Sequence, residues 1–163
     1  MKWNIRQEKD ADVAAIAEVT RAAFEGKAYA DGDEAELPAK LRDAGALVLS
    51  LVAVEGKTVI GHVALSPAKI GDEKCLGLGP VSVRPDRQGQ GIGSALVNHA
   101  VAIGSAYGRS GVVLMGDPGF YGRLGFVAEQ GPTVKGKPSK HLQIIGFEDV
   151  PIGDVSFHPK FYE

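Results

Sequence analysis

The chain has 163 residues, 44% hydrophobic and 23% charged, which fits one globular domain with a buried core and excludes a disordered segment. A formal net charge of −2 excludes nucleic acid as the main partner, and no apolar run approaches the roughly 20 residues needed to cross a bilayer. Cys75, the single cysteine, cannot form an internal disulfide, and the Met1–Arg6 start lacks a signal-peptide core, so a reducing cytoplasm is the expected compartment.

Trp3 to Arg6 alternates as a short first strand. Asp10 then offers an N-cap for a helix to about Phe24, with Val13, Ile16, Ala17, Thr20 and Phe24 along one face. Residues 26–33 read as a polar loop, and a second helix is expected from Glu34 to Ala44, its first turn restricted by Pro38. Strands over Ala46–Glu55 and Thr58–Leu65 are joined by a hairpin at Glu55-Gly56-Lys57, and Ser66-Pro67 ends or bends the second. After a turn at Gly71-Asp72 another strand runs from near Cys75 to Val83. A helix is expected over Ile92–Tyr107 and a buried strand over Gly111–Gly116. Asp117-Pro118 is an N-cap with a first-turn proline, so a short helix starts there and stops by Gly125. Strands at Phe126–Glu129 and Leu142–Phe147 flank a Gly/Pro/Lys-rich loop over residues 130–140. This order predicts an α/β fold with a mixed sheet and helices on both faces, forming a single domain over 1–163.

Chemistry concentrates between Leu78 and Leu96. Val81-Ser82-Val83 is halted by Pro85, Gly89, Gly91 and Gly93 alternate through a turn, and an apolar-periodic helix begins at Ile92. Such a strand, glycine turn and helix start suit a phosphate, because glycine lets the backbone approach the anion and the first helical N–H groups point at it. A dinucleotide fingerprint does not fit, since its last position falls on Ser94 or Leu96. A Walker loop needs Gly-Lys-Ser/Thr, which occurs nowhere in the chain.

What remains, Gln88-x-x-Gly91-x-Gly93 after a Val-x-Val-x-Pro strand end, resembles motif A of the GCN5-related N-acetyltransferase (GNAT) superfamily. Phe120-Tyr121-Gly122-Arg123-Leu124-Gly125-Phe126 is similar to the Tyr-x-x-x-Gly-Phe element that closes the coenzyme site there. Together with Gly116-Asp117-Pro118 it resembles a bacterial subgroup of the YhbS type; relatives outside that subgroup carry Asn where this chain has Asp117. The resemblance implies a GNAT-like, mostly antiparallel mixed sheet with helices on both faces. It also implies acetyl-CoA as acyl donor and direct transfer to an amine in a ternary complex. Its pyrophosphate would lie on the N–H groups of Gln88, Gly89, Gln90, Gly91, Ile92, Gly93 and Ser94, and its pantetheine arm along Val81, Ser82 and Val83. The Val83 N–H would polarise the thioester oxygen, a kind of donor that typically contributes about 3 kcal/mol where water is excluded.

Tyr121 is then the candidate general acid, since a phenol, with a reference pKa near 10, can protonate a leaving thiolate of lower pKa. The base is less defined, because Cys75–Val83 contains no carboxylate. Glu34 and Glu36, or a water path to solvent, are the options. Glu34 matches the subgroup's Glu ahead of Leu41-Arg42, and with Asp31, Asp33 and Glu36 it forms an acidic cluster suited to a cationic amine. Arg84 and Arg87 are candidates for added charge near the phosphates, and Lys135, Lys137 and Lys140 read as a solvated loop. His62 and His99 read as core or boundary histidines, and His141 and His158 show no metal spacing. Cys75 reads as a small buried hydrophobe. The acceptor, a small-molecule or peptide amine, has no recognisable code in Gly26–Ala44, and Val155–Tyr162 is a candidate homodimer seam. A coenzyme A-binding sensor or partner-binding module without catalysis is the alternative.

Overall fold

The computed structural model describes residues 2–27 and 35–163, and the chain divides into two units, residues 1–65 with 79–100 and residues 66–78 with 101–163. In the first, Gly56 takes φ +62 in the turn that joins β2 (Leu49–Glu55) to β3 (Thr58–Ile70), a left-handed conformation that glycine adopts without steric cost. β1 (Trp3–Gln7) lies antiparallel to β2, from Trp3↔Glu55 to Gln7↔Leu51. The β2–β3 ladder shifts between Ala53 and Val54: Gly61 pairs with Ala53 and Val59 with Val54, leaving Ile60 as the extra residue of a bulge.

α1 (Val13–Phe24) begins later than its expected cap, after a 3-10 turn over Asp10–Asp12. Asp12 rather than Asp10 fixes this start. Its carboxylate accepts the Lys9 N–H at 2.7 Å and two Arg6 bonds at 2.7 and 3.1 Å. The buried face is Ile16, Val19, Thr20 and Ala23, with Ile16 and Val19 packed on Val52, Val54 and Val59. Each such aliphatic side chain contributes about 1.5–3 kcal/mol on burial. α2 spans Leu37–Asp43 with Pro38 in its first turn; the expected start at Glu34 lies outside the described residues.

β4 (Glu73–Val83) ends in this unit and leads through a 3-10 turn at Pro85–Arg87 and the glycine turn to α3 (Ile92–Gly104). A further 3-10 turn, Ser105–Tyr107, carries the helix to its expected end. Ile92, Leu96, Val97 and Ala100 form its buried stripe. His99 is exposed, its Nδ1 2.8 Å from the Ala95 carbonyl, so the expected core or boundary placement does not hold. The buried stripe passes to one side of positions 99 and 103.

In the second unit β3 runs on through Pro67, past the expected end at Leu65, where the sequence expects the strand to end or bend. Its ladder with β2 ends at Leu65, and its ladder with β9 (Gly153–Phe157) begins at Ala68↔Phe157. Pro67 falls between the two partners, where no amide donor is required. β9 was not expected from sequence; its residues 155–157, the start of the candidate dimer seam, pair with β3 within the chain. β4 is parallel to β5 (Gly111–Met115) at Leu76↔Val112 and Gly77↔Val113, and Val81–Val83 lies beyond that ladder. α4 spans Pro118–Gly122, and β8 (Leu142–Gly146) is antiparallel to both β5 and β6 (Val127–Ala128). β7 (Pro132–Thr133), inside the expected loop, is parallel to β9. The ladders are therefore mixed and mostly antiparallel, as the sequence predicts. Ala68, Ile70, Cys75, Val113, Leu142 and Ile144 form this unit's core, with Val155 and Phe157 packed against it. A Cβ at Gly77 would stand 3.0 Å from the Phe157 ring, so glycine is what lets β9's aromatic close on the sheet.

Candidate acyl-transfer site

The glycine turn is exposed from Gln88 to Gly91, with Gly89 at φ +78, Gly91 at φ +83 and no atom within 4 Å of a Cβ at either. Both need glycine for backbone conformation and leave open space above the turn. The first helical bond of α3 runs from Ala95 N–H to the Gly91 carbonyl at 3.0 Å. The N–H groups of Ile92, Gly93 and Ser94 therefore precede any intrahelical acceptor, at the positive end of the helix dipole. Ile92 is 1% exposed, so its side chain anchors the turn in the core and only its backbone can serve a ligand. Gln88 is tied back to the strand, its Nε2 donating to the Val83 carbonyl at 3.1 Å. Val81 and Val83 are half-buried and Ser82 buried.

Both arginines that are candidates for added charge near the phosphates form ion pairs with carboxylates of this chain. Arg87 donates through both terminal nitrogens to Glu55, at 2.6 and 3.1 Å, and through Nε to Gln90 at 3.2 Å. Its hydrogen bonds and charge hold the Glu55 carboxyl below the usual carboxylate range. Arg84 pairs with Asp86 at 2.9 Å. Neither partner is legible from sequence spacing around the turn, least of all Glu55 on β2.

In the second unit, Asp117 caps α4 by accepting the Gly119 N–H at 3.0 Å. Tyr121 sits in the last turn, its ring edge-on to Phe120 (4.8 Å, 87°) and Phe126 (5.7 Å, 75°). The Phe126 N–H donates to the Tyr121 carbonyl at 3.2 Å, which closes the Tyr-x-x-x-Gly-Phe segment on itself, with Gly125 at φ +99 in the bend. A Cβ at Gly116 would come within 2.6 Å of Tyr121 Cε2, so that glycine provides the ring's seat. Burial, then the charge of Glu73, pushes the Cys75 thiol up to about 11, consistent with an inert core residue. Glu34, Asp31 and Asp33 lie outside the described residues. A cavity of about 610 Å³ in this unit, bordered by Glu73, Arg109, Ser110, Phe147, Glu148 and Asp149, contains none of the sequence-predicted site residues.

A family model described as acetyltransferase (GNAT) family matches residues 13–126. The chain belongs to the GNAT family. An uncharacterized N-acetyltransferase, YhbS of Escherichia coli K12, is 37% identical over 125 residues, covering 75% of this chain and 72% of that protein. Among solved structures, a GNAT family acetyltransferase from Brucella melitensis in complex with acetyl-CoA is 44% identical, with a TM-score of 0.86 over 98% of this chain and 97% of that one. YhbS from E. coli in complex with CoA is 29% identical, with a TM-score of 0.86 over 100% and 93%.

This GNAT chain also carries a buried polar network that the sequence did not signal as one unit. His62 on β3 is fully buried, its Nε2 2.8 Å from Ser50 Oγ on β2. Ser50 donates to Glu8, whose carboxylate receives two further bonds from Arg42 of α2, each 2.9 Å. A carboxylate has no proton to give, so Ser50 must accept from His62, which fixes the Nε2–H tautomer and leaves Nδ1 with its lone pair. That Nδ1 has no hydrogen-bond partner among the described residues, and neither does the buried Ser82 Oγ. Burial pushes the His62 ring down to about 4, with Glu8 opposing and Arg42 adding to the shift. Burial alone raises Glu8, but the bonds from Arg42 and Ser50 outweigh it and hold that carboxyl low. The sequence identified His62 as buried; its three partners, on separate elements, carried no spacing signal. Among the described residues no group of three or more His, Cys, Asp and Glu could hold a metal ion, and no helix is long and apolar enough to cross a membrane.

Proposed function

We propose that this GNAT acetyltransferase takes acetyl-CoA as donor and transfers the acetyl group to a small-molecule or peptide amine by direct attack in a ternary complex. The observation that carries this is the exposed turn with Gly89 and Gly91 at positive φ, opening straight onto the first turn of α3. Its relative from Brucella melitensis, 44% identical, is a complex with acetyl-CoA. The backbone N–H groups of residues 88–94 hold the pyrophosphate, and Val81–Val83 presents its backbone to the pantetheine arm, with the Val83 N–H polarising the thioester. Tyr121 gives its proton to the leaving thiolate. The nitrogen's proton leaves to Glu34, to Glu36 or along a water path, the routes that remain when Cys75–Val83 carries no carboxylate. Residues 1–163 act as one domain, a reading supported by a family match that runs unbroken from 13 to 126.

Calorimetry with CoA and acetyl-CoA, followed by thiol release with a panel of primary amines, tests the reading. No binding refutes it. Binding without thiol release for any acceptor favours the alternative, a coenzyme A-binding module, whose support is the missing strand carboxylate. Tyr121→Phe is expected to lower kcat by more than it raises the KM for acetyl-CoA; an unchanged kcat removes Tyr121 from the chemistry.

A further inference from the structure

We propose that the water path ends on His62: as the amine attacks, its nitrogen sheds a proton through one water to Nδ1, while Ser50, Glu8 and Arg42 hold the ring in the tautomer able to receive it. This rests on the acetyl-transfer reading above.

An unpartnered acceptor atom in a core costs folding free energy, and the ordinary remedy is a second hydrogen bond. Here one nitrogen is committed, at 2.8 Å from Ser50 Oγ, and the other is a lone pair with no partner among the described residues, on a fully buried ring. Its strand is also well placed. β3 bulges at Ile60, and the Arg84 N–H donates to the Ile60 carbonyl at 2.9 Å. A Cβ at Gly61 would stand 3.1 Å from the Ser82 carbonyl oxygen. The His62 backbone therefore lies about one strand spacing, roughly 4.8 Å, from the Val81–Val83 run assigned to the thioester.

The charged groups that act on the ring are Glu8, at the end of β1, and Arg42, from α2. Arg42 keeps Glu8 ionised, so the proton stops on the imidazole and Glu8 steadies the imidazolium through Ser50. A weak base suffices, because a nitrogen already bonding to the carbonyl carbon is far more acidic than a free alkylammonium. The atoms balance. The N–C bond forms, the nitrogen's N–H bond breaks and its proton reaches Nδ1. The C–S bond breaks, and sulfur leaves with its electron pair and takes the Tyr121 proton. The imidazolium then loses its proton to solvent while the phenolate regains one.

The test uses the full chain, acetyl-CoA and whichever of spermidine, an aminoglycoside or a lysyl peptide gives thiol release. In His62→Gln the side-chain amide still donates to Ser50, but no basic lone pair remains. The expected result is a kcat lower by about 10²–10⁴-fold, with the acetyl-CoA KM and calorimetric Kd unchanged within about twofold and the acid limb of the kcat/KM profile gone. A variant that keeps the parent kcat overturns the inference and makes the ring a structural post. Where His62→Gln does not fold, Ser50→Ala serves: the ring stays, its link to Glu8 goes, and an unchanged kcat and acid limb again overturn it. With no acceptor at all, ¹⁵N-histidine NMR of the parent protein should show a bare Nδ1 whose resonance moves on saturation with acetyl-CoA; a stationary resonance overturns it. Loss of kcat in Glu34→Gln with retention in His62→Gln assigns the proton to Glu34 instead. A protein that binds no acetyl-CoA fails the functional reading itself, which the calorimetry separates from every result above.

Discussion

Replacing Gly116 by alanine isolates the seating of Tyr121 from its chemistry. The new methyl would lie 2.6 Å from Tyr121 Cε2, 3.0 Å from Cδ2 and 3.4 Å from Leu114 Cδ1. Carbons in contact rest at about 3.5–4.0 Å, so the ring must retreat by about 1 Å. It has little room to do so, because Phe120 and Phe126 hold it edge-on at 4.8 and 5.7 Å. Overpacking of this kind costs about 1–3 kcal/mol. A value of about 2 kcal/mol lowers the Tm of a chain this long by about 4–8 °C. If Tyr121 is the acid of the proposed transfer, displacing it by about 1 Å costs on the order of 10²-fold in rate. Thermal melts and thiol-release kinetics on Gly116→Ala would measure both, with Gly122→Ala as the comparison. Gly122 sits next to Tyr121 in α4, and no atom lies within 4 Å of its Cβ position. That substitution should leave Tm level or raise it by about 0.4–1 kcal/mol worth of stability. If Gly116→Ala melts and turns over like the parent, the ring is not held where the structure holds it and the reasoning fails.

Gly91→Ala meets no atom within 4 Å, so its whole effect is the φ of +83 that an L-residue resists by about 1–2 kcal/mol. Calorimetry should show the Kd for CoA raised about 5–30-fold, and an unchanged Kd would separate the turn from the pyrophosphate. Asp117→Ala removes the α4 cap and should cost about 0.5–2 kcal/mol in chemical denaturation, whereas Asp117→Asn, which keeps an acceptor oxygen, should cost little. Acid should loosen the fold well before ordinary carboxylates titrate. His62 is near 6.5 when unfolded and about 4 when folded, so its contribution is complete above pH 6.5 and is lost as pH falls toward 4. The difference amounts to about 3 kcal/mol. Glu8, held low, adds a further loss as pH falls through its folded value. Denaturant titrations between pH 7 and 4 should show this slope in the parent and a shallower one in His62→Gln.

Much of the fold was legible because local chemistry forces it. The Gly56 hairpin, the Asp117 cap and the glycine turn each depend on a conformation or donor that few residues supply, so their sequence signals survive into structure. The elements that escaped depend on distant partners. Pro67 reads as a stop until β9 is known, because only the handover from Leu49↔Leu65 to Phe157↔Ala68 makes its missing N–H harmless. β9 itself owes its existence to pairing with a strand some 85 residues earlier. His99 reads as a core or boundary residue in the sequence, yet burial follows Ile92, Leu96 and Ala100, the positions that meet the sheet. In the candidate site the turn and Tyr121 were readable as motifs. The His62 network was not, since each of its members comes from a different element and a motif records only neighbours in sequence.

The pairing of Arg87 bears on what would hold the proposed pyrophosphate at the turn. Both cations flanking the glycines are neutralised by carboxylates of this chain, Arg84 by Asp86 and Arg87 by Glu55. On the proposed function, attraction for a diphosphate would then come from backbone dipoles at the start of α3, whose field acts within the first turn and needs no mobile side chain. Arg87 contributes by geometry instead: with one end on β2 and Nε on Gln90, it ties the turn to the hairpin before any ligand arrives. Gln88, bonded to the Val83 carbonyl, ties the same turn to the end of β4. A loop with two glycines, Gly89 and Gly91, would otherwise lose much conformational entropy on binding a ligand, and these two clamps lower that cost in advance. The same clamps explain why glycine is tolerated here at all: freedom is needed at φ of Gly89 and Gly91, not along the whole segment, and the polar side chains between them remove the rest.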